Sequence, residues 1–162
     1  MMGKFLGVTI VLSSLIAGAA LYYLQVYGFY EQVEAPADGV AVLTLDGTAE
    51  VIPTEDFSAI DADSSPIRYR ACFTTPYSLA LMTETFQMAE DMTPRNAPNW
   101  FDCFDAEAIG AELEAGTALA FLGEKNVAFG VDRVVAITED GRGYVWHELN
   151  NCGEKAYDGT II

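Results

Sequence analysis

Three cysteines and one histidine are the side chains of this 162-residue chain that are best suited to covalent or metal chemistry. Cys103 lies in the stretch NWFDCFDAEAIG, where a cysteine could be a nucleophile, a metal ligand, a disulfide partner or a small core residue. Cys72 and Cys152 lie far from it in sequence, and the chain has no C-x-x-C motif. A zinc or redox site is therefore weakly supported, and the choice among the other roles depends on the compartment.

His147, in the stretch YVWHEL, is the candidate general base. A base needs a nucleophile within reach and an orienting acid, but the adjacent Glu148 would point to the opposite face of a strand. The chain has no G-x-S-x-G, H-E-x-x-H or glycine-rich phosphate motif. The pattern favours a histidine packed at a strand end near Trp146, and we expect neither enzymatic activity nor a bound cofactor.

Met88 and Met92 form an M-x-x-x-M pair, with Met82 upstream. Thioethers are soft ligands that suit Cu(I), and His147 or Cys152 could add to them. The alternative is that these methionines fill gaps in the core and in a loop, which flexible thioether side chains do well. Copper binding is thus a secondary hypothesis.

The N-terminal segment has the properties of a membrane anchor. Residues 5–30 contain no charged side chain, and about 20 apolar residues are enough to cross the ~30 Å hydrocarbon layer. The tyrosines at its far end, such as Tyr23 and Tyr27, suit the headgroup region. A cleaved signal peptide is the alternative, but its apolar region usually ends after about 7 to 15 residues. We therefore predict a retained transmembrane helix over residues 5–30.

The basic residues predict the orientation of this helix. Lys4 precedes the segment, the next basic residue is Arg68, and acidic residues follow the segment at once. The positive-inside rule then leaves residues 1–4 in the cytoplasm. In a bacterium, the protein would be a single-pass inner-membrane protein with a stalk over residues 31–39 and a periplasmic domain over residues 40–162.

The charge lies in the part after the helix. All 24 acidic residues follow residue 30, and because Lys4 precedes it, residues 31–162 have a net charge of −17 against −16 for the chain. Such a surface repels nucleic acid and anionic lipid headgroups. Nucleic-acid binding is excluded as a function, whereas a basic partner is compatible with this charge.

The pattern after residue 40 predicts a small α+β domain. Apolar alternation on both sides of Asp46-Gly47 and of Asp140-Gly141 predicts two antiparallel hairpins. Residues 67–74 and 117–123 predict two further strands, whereas residues 55–66 have the composition of a loop.

Two helices complete this prediction. Thr75-Pro76 has the pattern of an N-cap followed by proline at the first helical position, and would open a helix over residues 77–86. Asp105 would cap a second helix, and Gly116 is placed to end it.

A periplasmic location indicates the role of the cysteines, because paired cysteines in an oxidising compartment normally form structural disulfides. Cys72 and Cys103 are both flanked by large apolar residues, so we predict that they pair. The alternative is that both are buried thiols. Cys152 would then be a free thiol or the partner of a cysteine on another chain.

The membrane segment also has a face of small residues. Ser14 and Gly18, and likewise Ser13 and Ala17, are four residues apart and lie on one side of a helix. Small residues allow a second transmembrane helix to approach closely. These four residues are the candidate helix–helix interface.

Several stretches together resemble a known but uncharacterised family. These are MMGKFLGVTIVLSSLIAGAALYYLQVYGFY, DADSSPIRYRACFTTP, WFDCFDAEAIGAELEAG, AFLGEKN and GVDRVVAITEDGRGYVWHELN. They resemble small membrane-anchored proteins of alphaproteobacteria classed as a domain of unknown function. Members sometimes have a histidine-kinase label, which this sequence does not support, because it has no ATP-binding glycine boxes and no phosphoacceptor helix. The resemblance implies an inner-membrane setting and no particular activity.

The leading hypothesis is therefore a non-enzymatic accessory or assembly protein. Its helix would dock beside a larger inner-membrane complex, and its acidic periplasmic domain would cover part of that complex. The alternative is a periplasmic protein that handles copper or thiols through Met88, Met92, His147 and Cys152. A sensor input domain is a third hypothesis, but four residues before the helix leave no room for a cytoplasmic output.

Overall fold

The structure is a computed structural model that describes residues 2–36 and 39–153. The chain divides into two compact units, residues 1–30 and 31–162. Residues 37–38 of the predicted stalk and residues 154–162 of the predicted domain lie outside the described residues.

The first unit is one apolar helix. It consists of α1 (Met2–Tyr23) and a π-helical turn (Leu24–Gly28). The span Gly3–Gly28 is long and apolar enough to cross a membrane, with a mean hydropathy of 2.0, and none of it is buried. The hydroxyls of Ser13 and Ser14 both donate to the carbonyl of Ile10, at 3.0 and 2.8 Å. These hydroxyls are therefore satisfied within the helix, as an apolar environment requires.

The second unit is an antiparallel α+β domain, which confirms the predicted fold class. Six strands form one sheet in the order β1-β4-β5-β8-β7-β6, and β2 pairs with β3 in a separate two-stranded sheet. The strands are β1 (Glu31–Val33), β2 (Val40–Leu43), β3 (Ala49–Ile52), β4 (Glu55–Asp61), β5 (Arg70–Thr74), β6 (Ala118–Ala128), β7 (Val131–Thr138) and β8 (Arg142–Leu149). The helices are α2 (Leu79–Thr85) and α3 (Ala106–Ala115).

Both predicted hairpins are present, and their turns share a T-x-D-G pattern. In the second turn the Thr138 hydroxyl donates to Asp140 and accepts the Arg142 amide at 3.0 Å, while Gly141 adopts a φ of 84°. Hydrogen bonds from the Arg142 guanidinium and the Thr138 hydroxyl lower the pKa of Asp140 to about 2. Glycine is favoured at this position because positive φ is costly for other residues.

The other T-x-D-G turn, between β2 and β3, is built in the same way. The Thr44 hydroxyl donates to Asp46, and this bond is the main cause of the lowered pKa of that carboxyl. Gly47 has a φ of 85°, close to the angle in the second turn. The repeated pattern explains why both hairpins were predictable from local sequence.

One face of the six-stranded sheet carries the main core, which the β2–β3 hairpin and α2 cover. Ile52 and Phe86 are fully buried in this core together with Phe121 from β6. The remaining buried members of the core are Val40, Val42, Ala59, Tyr69, Ala71, Phe73, Met82, Val135, Ile137 and Val145. Alternate residues of each strand point into this face, as the period of a strand requires.

The predicted start of α2 at Thr75-Pro76 is wrong. The helix begins at Leu79, and the Ser78 hydroxyl caps it by accepting the Leu81 amide at 3.3 Å. Thr75 is buried, and its amide instead donates to the Gly141 carbonyl at 2.9 Å. The threonine is thus held by the β7–β8 turn, a tertiary contact that a local capping rule cannot detect.

The second predicted helix has the predicted caps. The Asp105 carboxylate accepts the amides of Glu107 and Ala108 at 3.0 and 3.1 Å, and Gly116 is left-handed at a φ of 74°. The segment before α3 packs Phe104 edge-on against Trp146, with ring centroids 6.4 Å apart. This contact lies on the sheet face opposite the main core, because Trp146 alternates with the core residue Val145.

Two stretches predicted to lack regular structure contain strands. The backbone of β4 lies between β1 and β5 within residues predicted to be a loop, and β1 lies within the predicted stalk. The register of β4 shifts between Glu55 and Ser58, and Asp56 adopts a φ of 51°. This bulge interrupts the apolar alternation, which hides the strand from a periodicity argument.

Candidate functional site

The predicted pairing of Cys72 with Cys103 is present in the structure. The two residues form a disulfide, with their Cα atoms 6.2 Å apart and a sequence separation of 31. Cys72 is buried on β5, whereas Cys103 is exposed in the segment that leads into α3. The bond therefore links the sheet to a surface segment.

Arg70 fastens the same part of the chain to the same strand. Its buried guanidinium donates from Nε to the Arg95 carbonyl at 2.8 Å and from Nη2 to the Asn96 carbonyl at 3.0 Å. The same group lies 5.7 Å from the centre of the Phe104 ring. Arg70 and Cys72 are two positions apart on β5. Hydrogen bonds from Arg70 and the disulfide of Cys72 therefore both link this strand to the segment that precedes α3.

Cys152, the cysteine left without a partner in the sequence analysis, is a free and exposed thiol in the structure. Its amide donates to the Asn150 side-chain oxygen at 2.8 Å. This contact fixes the backbone and leaves the sulfur open to solvent.

His147 is buried and both of its ring nitrogens have partners. Nδ1 lies 2.6 Å from the Pro66 carbonyl, and Nε2 accepts from Arg133 Nε at 3.2 Å. This assigns the neutral tautomer with its proton on Nδ1. Burial, above all, lowers the pKa of His147 below its ordinary value of 6.5. A neutral imidazole with two committed nitrogens is poorly placed to act as a general base or a metal ligand.

The groups around His147 form a polar cluster that the sequence analysis missed. Its ring stacks on Tyr69 with centroids 4.9 Å apart, and the Arg133 guanidinium lies 5.3 Å from the centre of the Tyr69 ring. Arg133 also pairs with Glu124 at 3.3 Å. The contact between Arg133 and His147 could have been predicted from the sequence, because a hairpin centred on Asp140 places residue 133 opposite residue 147.

The candidate copper ligands are only partly brought together. Met88 and Met92 line one shallow depression of about 260 Å³, but neither His147 nor Cys152 is among the residues that line it. Across residues 2–36 and 39–153, no group of three or more His, Cys, Asp or Glu side chains is placed to hold a metal ion.

The predicted helix–helix interface is an open face. Ser13, Ser14, Ala17 and Gly18 are all exposed, and a Cβ at Gly18 would meet nothing within 4 Å apart from its chain neighbours and the backbone of its own helix. This space is compatible with the close approach of another helix.

Comparison with known families assigns the domain. Residues 40–162 match a family described as a family of unknown function, DUF6446. The chain belongs to this family. No curated protein and no solved structure matches the chain.

The DUF6446 match places the candidate features in two groups. The disulfide, the His147 cluster and the depression beside Met88 lie within the matched residues. The apolar helix and β1 precede them. The matched region thus covers the candidate features of the second unit and not the apolar helix.

Proposed function

We propose that the protein is a non-enzymatic accessory or assembly protein of a membrane complex. The observation that carries this proposal is the fully exposed apolar helix Gly3–Gly28. Large apolar side chains on it, such as Phe5 and Ile16, expose 75% and 69% of their surface, and that surface needs lipid or another helix around it.

The orientation and compartment belong to the same proposal. Lys4 before the helix and the lack of basic residues up to Arg68 favour a cytoplasmic N-terminal side. The Cys72–Cys103 disulfide favours an oxidising compartment for the domain. We place the protein in a bacterial inner membrane with residues 31–162 in the periplasm.

The docking role rests on two surfaces. The small-residue face of α1 would contact a transmembrane helix of the complex, and the acidic domain would contact its periplasmic part. The commitment of both His147 nitrogens to Pro66 and Arg133 supports a binding role for the domain over a catalytic one.

A pull-down of the full-length, C-terminally tagged protein from its native membrane in mild detergent tests the proposal. We expect one membrane complex at constant stoichiometry. The double variant Ser14→Leu/Gly18→Leu should reduce its recovery at least about tenfold, because two large side chains block a close helix contact.

The matched control is Val8→Leu/Ala19→Leu. At about 100° per residue, both positions lie at least about 150° around the helix from the centre of the small-residue face. This variant should retain the complex. Recovery of the wild-type protein without a complex would contradict the accessory role. Equal recovery of the complex with both double variants would show that the helix is not part of the docking surface.

A further inference from the structure

The depression lined by Met88 and Met92, here called the Met groove, is an apolar surface of the domain that could bind something other than a metal ion. Its apolar walls are Met88, Met92, Leu113 and Leu119, and its volume is about 260 Å³. Met88 exposes 50% of its surface. The groove lies between the segment after α2, the end of α3 and the start of β6.

The backbone beneath the groove is fixed. The Ala89 amide donates to the Ala120 carbonyl at 2.9 Å, and the Leu122 amide donates to the Gln87 carbonyl at 2.9 Å. Residue 88 is also bridged to Phe121 in an antiparallel arrangement. The segment thus extends the edge of the sheet at β6, and the groove exists before any partner binds.

The rim of the Met groove is acidic. Glu90, Asp91 and Glu114 are exposed carboxylates that line it, and no lysine or arginine is among its lining residues. The chain as a whole has a net charge of −16. An occupant with positive charge is therefore favoured at contact and steered from a distance.

The size and the lining indicate the kind of occupant. Small-molecule pockets usually measure about 300–1,000 Å³, so this groove suits one side chain better than a whole cofactor. Methionine walls adapt to different apolar shapes, which is why they recur at protein-binding surfaces.

We propose that the Met groove docks one aliphatic or aromatic side chain of a partner protein, from a segment in which lysines or arginines flank that side chain. The inference rests on the proposed accessory function and names the chemistry of its contact on the domain. The cationic neighbours would pair with Glu90, Asp91 and Glu114.

A defined peptide tests the groove on the full-length protein in nanodiscs of zwitterionic lipid. The probe is acetyl-Lys-Lys-Gly-Leu-Gly-Lys-Lys-amide, and the readout is the NMR signal of ¹³C-labelled methionine methyl groups. We expect saturable shifts of the Met88 and Met92 signals. Met82, which is fully buried in the core, is the internal control and should not shift.

Two matched peptides separate the apolar and the charged contributions. Replacement of leucine by serine, or of all four lysines by glutamates, should weaken binding at least about tenfold, because each removes one half of the recognition. Equal shifts with either peptide would overturn the proposal, as would an absence of shifts with the original peptide.

Variants on the protein side provide a further check. Neutralising the rim with Glu90→Gln, Asp91→Asn and Glu114→Gln should weaken the peptide at least about tenfold. The matched control Glu50→Gln, Glu84→Gln and Glu139→Gln removes the same charge at exposed positions elsewhere and should change binding less than about twofold. Equal weakening by the two triple variants would reduce the effect to overall charge and contradict a local site.

The same rim variant distinguishes this inference from the proposed function. If it retains the complex in the pull-down and binds the peptide like the wild type, the Met groove is not the docking site and the accessory role stands. If the wild type recovers no complex but binds the peptide as expected, the groove stands and the proposed function fails.

Discussion

At the scale of single residues, two links from β5 explain how the segment before α3, which has little regular structure, is held on the sheet. Arg70 grips the carbonyls of residues 95 and 96, and Cys72 binds Cys103 covalently. Phe104 of the same segment packs edge-on against Tyr144 and Trp146 of β8. Loss of the Arg70 hydrogen bonds or of the disulfide should therefore loosen α3 and the segment before it, and should affect the main core less.

Removal of the disulfide should lower the free energy of unfolding. A crosslink that spans about 30 residues restricts the unfolded chain by about 3–4 kcal/mol in the loop-entropy treatment. We expect a loss of this size for Cys72→Ala/Cys103→Ala in urea unfolding followed by the fluorescence of the buried Trp146. Cys152→Ala, which removes an exposed free thiol, is the control and should have no effect. Equal stability of the two variants would contradict the structural role.

His147 should make the stability of the domain depend on pH. Burial lowers the pKa of His147, and Arg133 and Arg70 lower it further, while the Pro66 carbonyl and Asp61 oppose this shift. The unfolded chain therefore binds the extra proton first, so the free energy of unfolding decreases as the pH falls below about 6.5. The slope cannot exceed about 1.4 kcal/mol per pH unit for one proton.

The variant His147→Gln separates this effect from the titration of carboxylates. Glutamine does not titrate, so the loss of stability between pH 7.5 and pH 5.5 should be smaller in the variant than in the wild type. Urea unfolding at the two pH values measures it. An unchanged pH dependence would show that protonation of this histidine is not linked to unfolding.

At the scale of elements, β8 depends on a glycine beneath an aromatic ring. A Cβ at Gly143 would lie 2.2 Å from the Cζ atom of Phe73, which is itself buried in the core. Any larger residue here would therefore force the Phe73 ring to shift within the core. The ring of Phe73, on the neighbouring strand, thus determines which residue type fits at position 143.

The variant Gly143→Ala should destabilise the domain by about 1–3 kcal/mol or more, the usual cost of overpacking a core. Gly110→Ala in the interior of α3 is the matched control, since the nearest contact of its Cβ is Pro94 at 3.9 Å. That change should stabilise the helix by about 0.5–1 kcal/mol, because alanine loses less backbone freedom on folding. Thermal unfolding measures both, and the same sign for the two variants would contradict this explanation.

At the scale of the whole molecule, the proposed topology predicts which cysteine reacts from which side. Cys152 is exposed, whereas Cys72 and Cys103 are bonded to each other. A membrane-impermeant maleimide should label unreduced wild-type protein at Cys152 in intact spheroplasts. Protection of this thiol until the membrane is opened would reverse the proposed orientation.

The matched control moves the thiol to the other side of the helix. The variant Gly3→Cys in a Cys152→Ser background should react only after the membrane is opened, since Gly3 lies at the proposed cytoplasmic end. The mass of the labelled protein also tests retention of the helix. A mature protein that has lost its first residues would identify a cleaved signal peptide and contradict the anchor.

The sequence by itself determined the features that depend on neighbours along the chain. The apolar run, the two T-x-D-G turns and the caps of α3 each need only a few adjacent residues, and the α+β class follows from them. The pairing of Cys72 with Cys103 was also predictable, although it spans 31 positions, because both lie beside large apolar residues.

Only the tertiary structure decided which distant residues meet. The bulge in β4 interrupts its apolar alternation, so this strand could not be predicted. Ser78 and not Thr75 caps α2, because the amide of Thr75 is bonded to a turn more than 60 residues away in sequence. The partners of His147 depend on strand register, and the Met groove combines side chains from three separate elements. A periodic pattern shows which face of an element is apolar, but the packing of the other elements decides what covers that face and what stays open.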